Sequence, residues 1–286
     1  MKKIIERLLI FIIGIPVIFI IVIYLPFYNN LALNLVIIFF SGIGAVEFSS
    51  MLRKKNILIP KVESFILGAL APAAVTLYVS FNLSIQIIPV IIMTGALWAL
   101  MSRIFSRSAQ IESITNNIIG LFSLLIYPGA FMCWAAFMGG WGNPAAILLF
   151  LFITFGNDSI AWLFGTLFGA SNRGIIIVSP NKSVAGFAGG LTGSVLVAAG
   201  AFLFFPGVFP FPGETQTASV ILKAVITGLC TGIAASLGDL AESAIKRSCD
   251  FKDSGNFMLG RGGALDSIDS IAAAAPVFCL LYSIFF

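Results

Sequence analysis

Stretches of about 20 apolar residues recur along the whole chain, and they limit what it can fold into more than any other feature. They cover residues 8–27, 31–52, 64–81, 83–101, 114–138, 144–168, 184–205, 218–236 and 264–286. At about 1.5 Å per residue, such a run spans the roughly 30 Å hydrocarbon core of a bilayer as one helix. A helix satisfies its own backbone hydrogen bonds, which lipid cannot do. Composition agrees: 59% of the residues are hydrophobic and 10% charged, and the mean hydropathy is +1.06. Soluble domains carry about 25% charge. The expected fold class is all-α, a polytopic transmembrane helical bundle of about nine spans.

The basic residues set an orientation. Lys2, Lys3 and Arg7 precede the first run, which is too long and too rich in Ile for a signal peptide and has no small-residue cleavage site after it. We read it as a retained helix. Threading the spans with the N-terminus in the cytoplasm places all of the 16 Lys and Arg residues except Lys223 at inner ends or inner loops, as the positive-inside rule requires. The outer loops, such as GGWGN and PGVFPFPGETQ, are short and nearly uncharged. Polar chemistry is therefore expected at the cytoplasmic side, in a polar cavity open to that face. Residues 1–113 read as an N-terminal region of four spans and 114–286 as a catalytic region of five.

Several function classes fall away. The net charge of +4 is explained by a basic inner face beside anionic lipid headgroups, and no nucleic-acid-binding motif is present. Cys133, Cys230, Cys249 and Cys279 lack CxxC-type spacing, and there is no His, so zinc and haem sites are not expected. A bound metal would take oxygen ligands, which points to magnesium, manganese, calcium or an alkali ion. Glu47, toward the inner end of its span, reads as a carboxylate reaching the interface or pairing with Arg53 or Lys54.

From Asn157 onward three polar clusters interrupt the apolar pattern. In FGNDSIAWLFG, Asp158 lies inside a helix among Phe, Ile, Trp and Leu, and a carboxylate there needs a partner or a wet cavity. Asn157 and Asp158 serve either a site or interhelical packing, and we favour the site. In SPNKSVAGFAGG, Ser179 and Ser183 are candidate helix caps around a Pro, and Lys182 stands at a helix N-terminus, where backbone N–H groups favour phosphate. A snorkelling Lys beside lipid explains this segment equally well. In the third cluster, residues 238–270, Asp239, Glu242 and Lys246 recur at helical spacing and share a face. Asp266 and Asp269 share another after Gly262 and Gly263. Two acidic faces thus flank a basic loop carrying Lys246, Arg247, Lys252 and Arg261. Carboxylates that hold a divalent metal beside cations that neutralise phosphate suit phosphoryl or nucleotidyl transfer.

The run S243-A-I-K246-R247, K252-D253-S-G and G260-R-G262-G263-x-L-D266-x-I-D269-S270 resembles the signature of the phosphatidate cytidylyltransferases, the CDP-diacylglycerol synthases. Three upstream segments match the same family in order: D158-S-I-A161, S179-P180-N-K182-S183 with the Gly residues that follow, and G238-D239-L-x-E242. The resemblance covers about 157–270. It implies conversion of CTP and phosphatidic acid to CDP-diacylglycerol and pyrophosphate by a nucleotidyltransferase of phospholipid biosynthesis.

The resemblance implies Asp239, Asp266 and Asp269 as metal ligands and, with Lys246, as the catalytic set. The substrate contacts it implies are Asn157, Asp158, Ser179, Lys182, Ser183, Glu242, Arg247, Lys252, Asp253, Arg261, Gly262 and Gly263. The expected cofactor is Mg2+, with a second cation such as K+ as an option. The expected partners are CTP, phosphatidic acid, membrane lipids and a second copy of the chain in a homodimer. The expected location is a bacterial inner membrane with the site facing the cytoplasm. The chain departs from the family pattern at Leu259 and Arg261, where Pro and His are usual, at Ser267 for Arg and at Ala185 for Glu. Arg261 fixes a positive charge and cannot shuttle protons. Three alternatives stay open: a CTP-dependent polyprenol or phytol kinase-like enzyme, an ion-coupled transporter, and an inactive family relative.

Overall fold

The computed structural model describes residues 2–104, 111–205, 208–209, 217–258 and 262–286, with backbone only for residues 2–12 and 217. Among the described residues the fold is all-helical, with no strand. Ten α-helices follow in order: α1 (Lys2–Tyr24), α2 (Phe27–Leu52), α3 (Lys61–Phe81), α4 (Ile87–Met101), α5 (Ile114–Leu124), α6 (Phe131–Met138), α7 (Pro144–Phe168), α8 (Val184–Phe204), α9 (Thr217–Ser248) and α10 (Leu265–Phe285). A π-helical turn, Leu125–Ala130, joins α5 to α6.

Among the described residues, seven segments are long and apolar enough to cross a bilayer: Phe27–Lys55, Lys61–Phe81, Ile111–Trp141, Pro144–Phe168, Val184–Phe204, Ala218–Ser248 and Leu265–Phe285. The chain is an integral membrane protein. Ile87–Met101 is a shorter apolar helix, and of α1 only the part from Ile13 onward is described with side chains. The fourth apolar run begins at residue 83, but its helix begins at Ile87. The chain leaves α3 through Asn82 in the left-handed conformation, and residues 83–86 form a turn in which Ile87 N–H donates to the Ser84 carbonyl at 3.0 Å.

The chain forms two compact units, Met1–Gly142 with Lys246–Ile268, and Asn143–Ile245 with Asp269–Phe286. Residue 113, where the two regions read from the sequence meet, falls inside the first unit, which runs on to Gly142 and also takes in the polar segment after α9. In the first unit, α2 and α3 cross on small residues. A Cβ on Gly68 would overlap Ala45, and the Ser41 hydroxyl donates to the Gly68 carbonyl at 2.7 Å. Close approach of this kind replaces the hydrophobic drive that lipid does not supply.

In the second unit α7 and α8 pack the same way, with Gly186 against the Ala161 carbonyl and Gly190 against Asn157. The caps follow from sequence. Asn143 Oδ1 accepts from Ala145 N at 3.1 Å with Pro144 at the first helical position. Ser183 Oγ accepts from Gly186 N at 3.0 Å and starts α8. Each answers a backbone donor that the first turn leaves without an intrahelical partner. Ser179 caps nothing; it closes a turn in the preceding segment through its backbone, accepting from Lys182 N at 3.0 Å.

Candidate active site

Two polar clusters stand out, one in each unit. In the second unit a cavity of about 420 Å³ is lined by Asn157, Asp158, Trp162, Arg173, Lys182, Ser183, Ser236 and Asp239, among others. It forms because α7, α8 and α9 each bring a polar position to it, while the glycines of α7 and α8 keep the helix backbones close. Lys182, in the segment leading to α8, reaches Asp239 of α9 at 2.5 Å, with 31% and 35% of the two side chains exposed. Such a half-open pair is loosely held, worth about 0–1 kcal/mol, so a stronger anion can take the lysine from it. Arg173 lies on the same wall and donates to the Gly165 carbonyl at 2.9 Å.

Asn157, buried at the back of this cavity, ties three helices together. Its amide donates to Ser236 Oγ on α9 at 3.0 Å, and its Oδ1 accepts from Ser194 Oγ on α8 at 3.2 Å. Its observed bonds are therefore packing bonds, the neutral interhelical hydrogen bonding that polar residues supply in membranes. Asp158, one residue on, lines the cavity.

The same unit gathers acid. Asp269 of α10 is 6% exposed, accepts from Ser270 N at 2.6 Å, and feels the negative charges of Asp239, Glu242 and Asp158. Glu242 is fully buried. Four carboxylates in one electrostatic neighbourhood repel one another, and buried charge of one sign calls for cations. The donors are all oxygen, the type that magnesium or calcium prefers. Among the described residues no three His, Cys, Asp or Glu side chains stand close enough to hold an ion alone. The arrangement fits a metal that keeps water ligands and takes one or two carboxylates together with substrate phosphates, which is the usual habit of Mg2+.

The first unit holds the other cluster. Lys246, at the end of α9, pairs with Oδ1 of Asp266, at the start of α10, and the side chains are only 11% and 9% exposed. Asp266 Oδ2 accepts from Gly263 N at 2.7 Å and from Ser254 N at 2.8 Å, and lies 2.8 Å from the Ser254 hydroxyl. Gly262 has φ +109, and a Cβ there would overlap Asp266, so both reasons for glycine coincide at this position. Around this buried knot Arg247, Lys252 and Asp253 are exposed, and Arg247 donates to the Phe251 carbonyl at 3.1 Å.

Of the residues singled out in the sequence, Asn157, Asp158, Lys182, Ser183 and Asp239 thus line one cavity, with Glu242 and Asp269 as its acidic neighbours. Lys246, Asp253, Asp266, Gly262 and Gly263 gather in the first unit. Ser179 is not among the cavity's lining residues, and Arg261 and Leu259 lie outside the described residues. Sequence reasoning missed Arg173, counted only as an inner positive charge, although its place between α7 and α8 beside Gly174 marked it as a polar turn between two spans. It also misassigned Glu47. That carboxylate is 9% exposed and accepts from Ala264 N at 3.0 Å, Leu265 N at 2.9 Å and Ser254 Oγ at 3.0 Å.

Comparison with known proteins gives the geometry a family. The chain is 35% identical over 137 residues to a protein of Escherichia coli (strain K12) named Uncharacterized protein YnbB, covering 48% of this chain and 42% of that one. It is 37% identical over 137 residues to the phosphatidate cytidylyltransferase of Haemophilus influenzae, covering 48% of this chain and 45% of the relative. It is 27% identical over 297 residues to the phosphatidate cytidylyltransferase of Synechocystis, covering 95% and 94%. The matches thus span under half of the first two relatives and nearly all of the third. The family model described as "Cytidylyltransferase family" matches residues 5–285, a range that takes in both polar clusters, and the chain therefore belongs to the cytidylyltransferase family.

Proposed function

We propose that this protein is a phosphatidate cytidylyltransferase, which joins CTP and phosphatidic acid to give CDP-diacylglycerol and pyrophosphate. The observation that carries this reading is the cavity in which the loosely paired Lys182 and Asp239 stand beside a concentration of carboxylates, in a chain of this family. In the reaction a phosphate oxygen of phosphatidate attacks the α-phosphorus of CTP. The bond from that phosphorus to the bridging oxygen breaks, and pyrophosphate leaves with the electron pair. Phosphatidate is already anionic at neutral pH, since the second pKa of a phosphate monoester lies near 6. No general base is required. The protein's task is to gather polyanions, neutralise them and align them in-line.

Lys182 and Arg173 suit phosphate oxygens in the cavity. Lys246, with the exposed Arg247 and Lys252, supplies cationic charge on the other unit's polar segment. Asp239 and Asp269 are the carboxylates we assign to magnesium, and a second cation such as potassium would answer the same excess of acid. When bound, the metal supplies charge neutralisation for the triphosphate. Asp266 stays a candidate ligand, but a cation taking its Oδ1 must displace the Lys246 ammonium. Ser183, whose hydroxyl caps α8, is also one of the residues that line the cavity.

The finer topology is part of the same proposal. We count α1 and the shorter α4 with the seven long segments, which gives one helix for each of the nine runs read from the sequence. The basic residues favour a cytoplasmic N-terminus and a cytoplasmic site in a bacterial inner membrane. The homodimer expected from the family resemblance is testable by chemical cross-linking in membranes.

To test the function, purified protein in detergent is incubated with CTP, Mg2+ and phosphatidic acid. The expected result is equal formation of pyrophosphate and CDP-diacylglycerol. Release of CDP in place of pyrophosphate would assign a kinase instead, and no turnover by folded protein beside an active relative would assign an inactive member.

A further inference from the structure

Glu47 belongs to α2, in the half of the chain that carries none of the family signature, yet it closes the start of α10. The first amides of a helix have no partners within it, and in α10 two such amides are met by this carboxylate: Ala264 N donates to Oε1 at 3.0 Å and Leu265 N to Oε2 at 2.9 Å. A negative charge there also meets the positive end of the helix dipole. The work of an N-cap is done by a residue 217 positions earlier in the chain.

Space is kept for it. A Cβ on Gly255 or on Gly263 would overlap the Glu47 carboxylate, so these glycines give the anion access to backbone. Glu47 Oε2 also lies 3.0 Å from the hydroxyl of Ser254. That hydroxyl lies 2.8 Å from Asp266 Oδ2 and accepts from Asp266 N at 3.3 Å. One hydroxyl has a single proton to donate, so Ser254 can serve only one of the two carboxylates at a time, which couples them. Asp266 in turn holds Lys246. The chain of contacts runs from Glu47 through Ser254 and the α10 N-terminus to Asp266 and then to Lys246.

We propose that Glu47 is a positioning residue, which fixes the N-terminus of α10 and, through Ser254, the Asp266–Lys246 pair. The proposal rests on the reading of Lys246 as part of the transferase machinery. A role confined to folding would lower the amount of folded protein and leave turnover per folded molecule alone. A positioning role lowers turnover, and does so through Ser254.

The experiment compares the full chain with Glu47→Gln, Ser254→Ala and the double variant, each purified in detergent. Hydrogen–deuterium exchange over residues 262–268 is read together with kcat/KM per folded molecule. Gln keeps the shape but turns an NH2 toward backbone donors. We expect faster exchange over 262–268 in Glu47→Gln and a loss of kcat/KM of about 10–100-fold, the range seen when a group that orients a ligand is removed. We expect the double variant to be no worse than Glu47→Gln. Wild-type exchange, wild-type kcat/KM, or losses that multiply in the double variant would each overturn the proposal. If Glu47→Gln does not fold, Ser254→Ala decides: slower turnover with faster exchange supports the link, and wild-type behaviour in both removes it. A wild-type chain that makes no CDP-diacylglycerol sinks the transferase reading instead, and the exchange measurement still decides whether Glu47 anchors α10.

Discussion

The two polar clusters use similar residues to opposite ends. In the first unit Lys246 and Asp266 are about nine-tenths buried, and Asp266 and Glu47 between them receive backbone donors from Ser254, Gly263, Ala264 and Leu265. In the second unit Lys182 and Asp239 are about one-third exposed on the wall of a cavity, with carboxylates crowded nearby. The first arrangement spends its hydrogen-bonding capacity on itself and so fixes a shape. The second leaves charge available to an incoming ligand. A lysine–aspartate pair is therefore not one kind of object: burial and the number of other donors decide whether it is locked in place or stays open to a ligand.

The largest effect that separates the two follows from Lys246→Met. Removing one partner of a buried pair strands the other charge and costs about 3–5 kcal/mol, so unfolding in denaturant should shift strongly, with activity lost as well. A near-wild-type unfolding midpoint would mean that the first cluster is not the rigid one. Next comes Asp239→Asn, which removes an exposed half of a loose pair. Its midpoint should stay close to wild type while kcat/KM falls about 100–1000-fold, the scale for losing one electrostatic stabiliser of a transition state. Asn157→Ala should cost about 1–3 kcal/mol, since two interhelical hydrogen bonds of about 0.5–1.5 kcal/mol each go with it. A drop in affinity for CTP with unchanged stability would instead return Asn157 to the substrate contacts. The smallest stability effect belongs to Lys182→Met, under about 1 kcal/mol. That variant sharpens the contrast with Lys246→Met because the chemical change is identical.

Much of this was legible in the chain because hydrophobic length alone dictates helices in a membrane. The runs at 31–52, 64–81, 144–168 and 184–205 appear as α2, α3, α7 and α8 with ends shifted by a few residues. The cavity residues Asp158, Lys182 and Asp239 stood out since charge near apolar sequence demands a reason. Glu47 was misread for a physical cause. Arg53 and Lys54 lie nearby in sequence, whereas its true partners are reached only by folding, with Ser254 lying 207 positions away. Asp266 was read as a metal ligand and catalytic residue, and the donors that converge on its Oδ2 were not foreseen, because spacing shows which residues share a helix face but not which backbone amides fold against them. Asn157 shows the same limit, since its choice between substrate and packing depends on Ser194 and Ser236, neither of which carries any local signal. The short α4 depended on the left-handed Asn82, a backbone event that hydropathy does not register.

A phosphatidate cytidylyltransferase moves the cytidylyl group, not a terminal phosphate, onto a lipid. The most direct measurement gives the protein CTP labelled at the α-phosphorus or at the γ-phosphorus, with magnesium and phosphatidic acid, and follows the label. The proposed function calls for α-label in the lipid fraction and γ-label in pyrophosphate, both lost in Asp239→Asn. Lipid that carries the γ-label, or no labelled lipid from either nucleotide with folded protein, would contradict it.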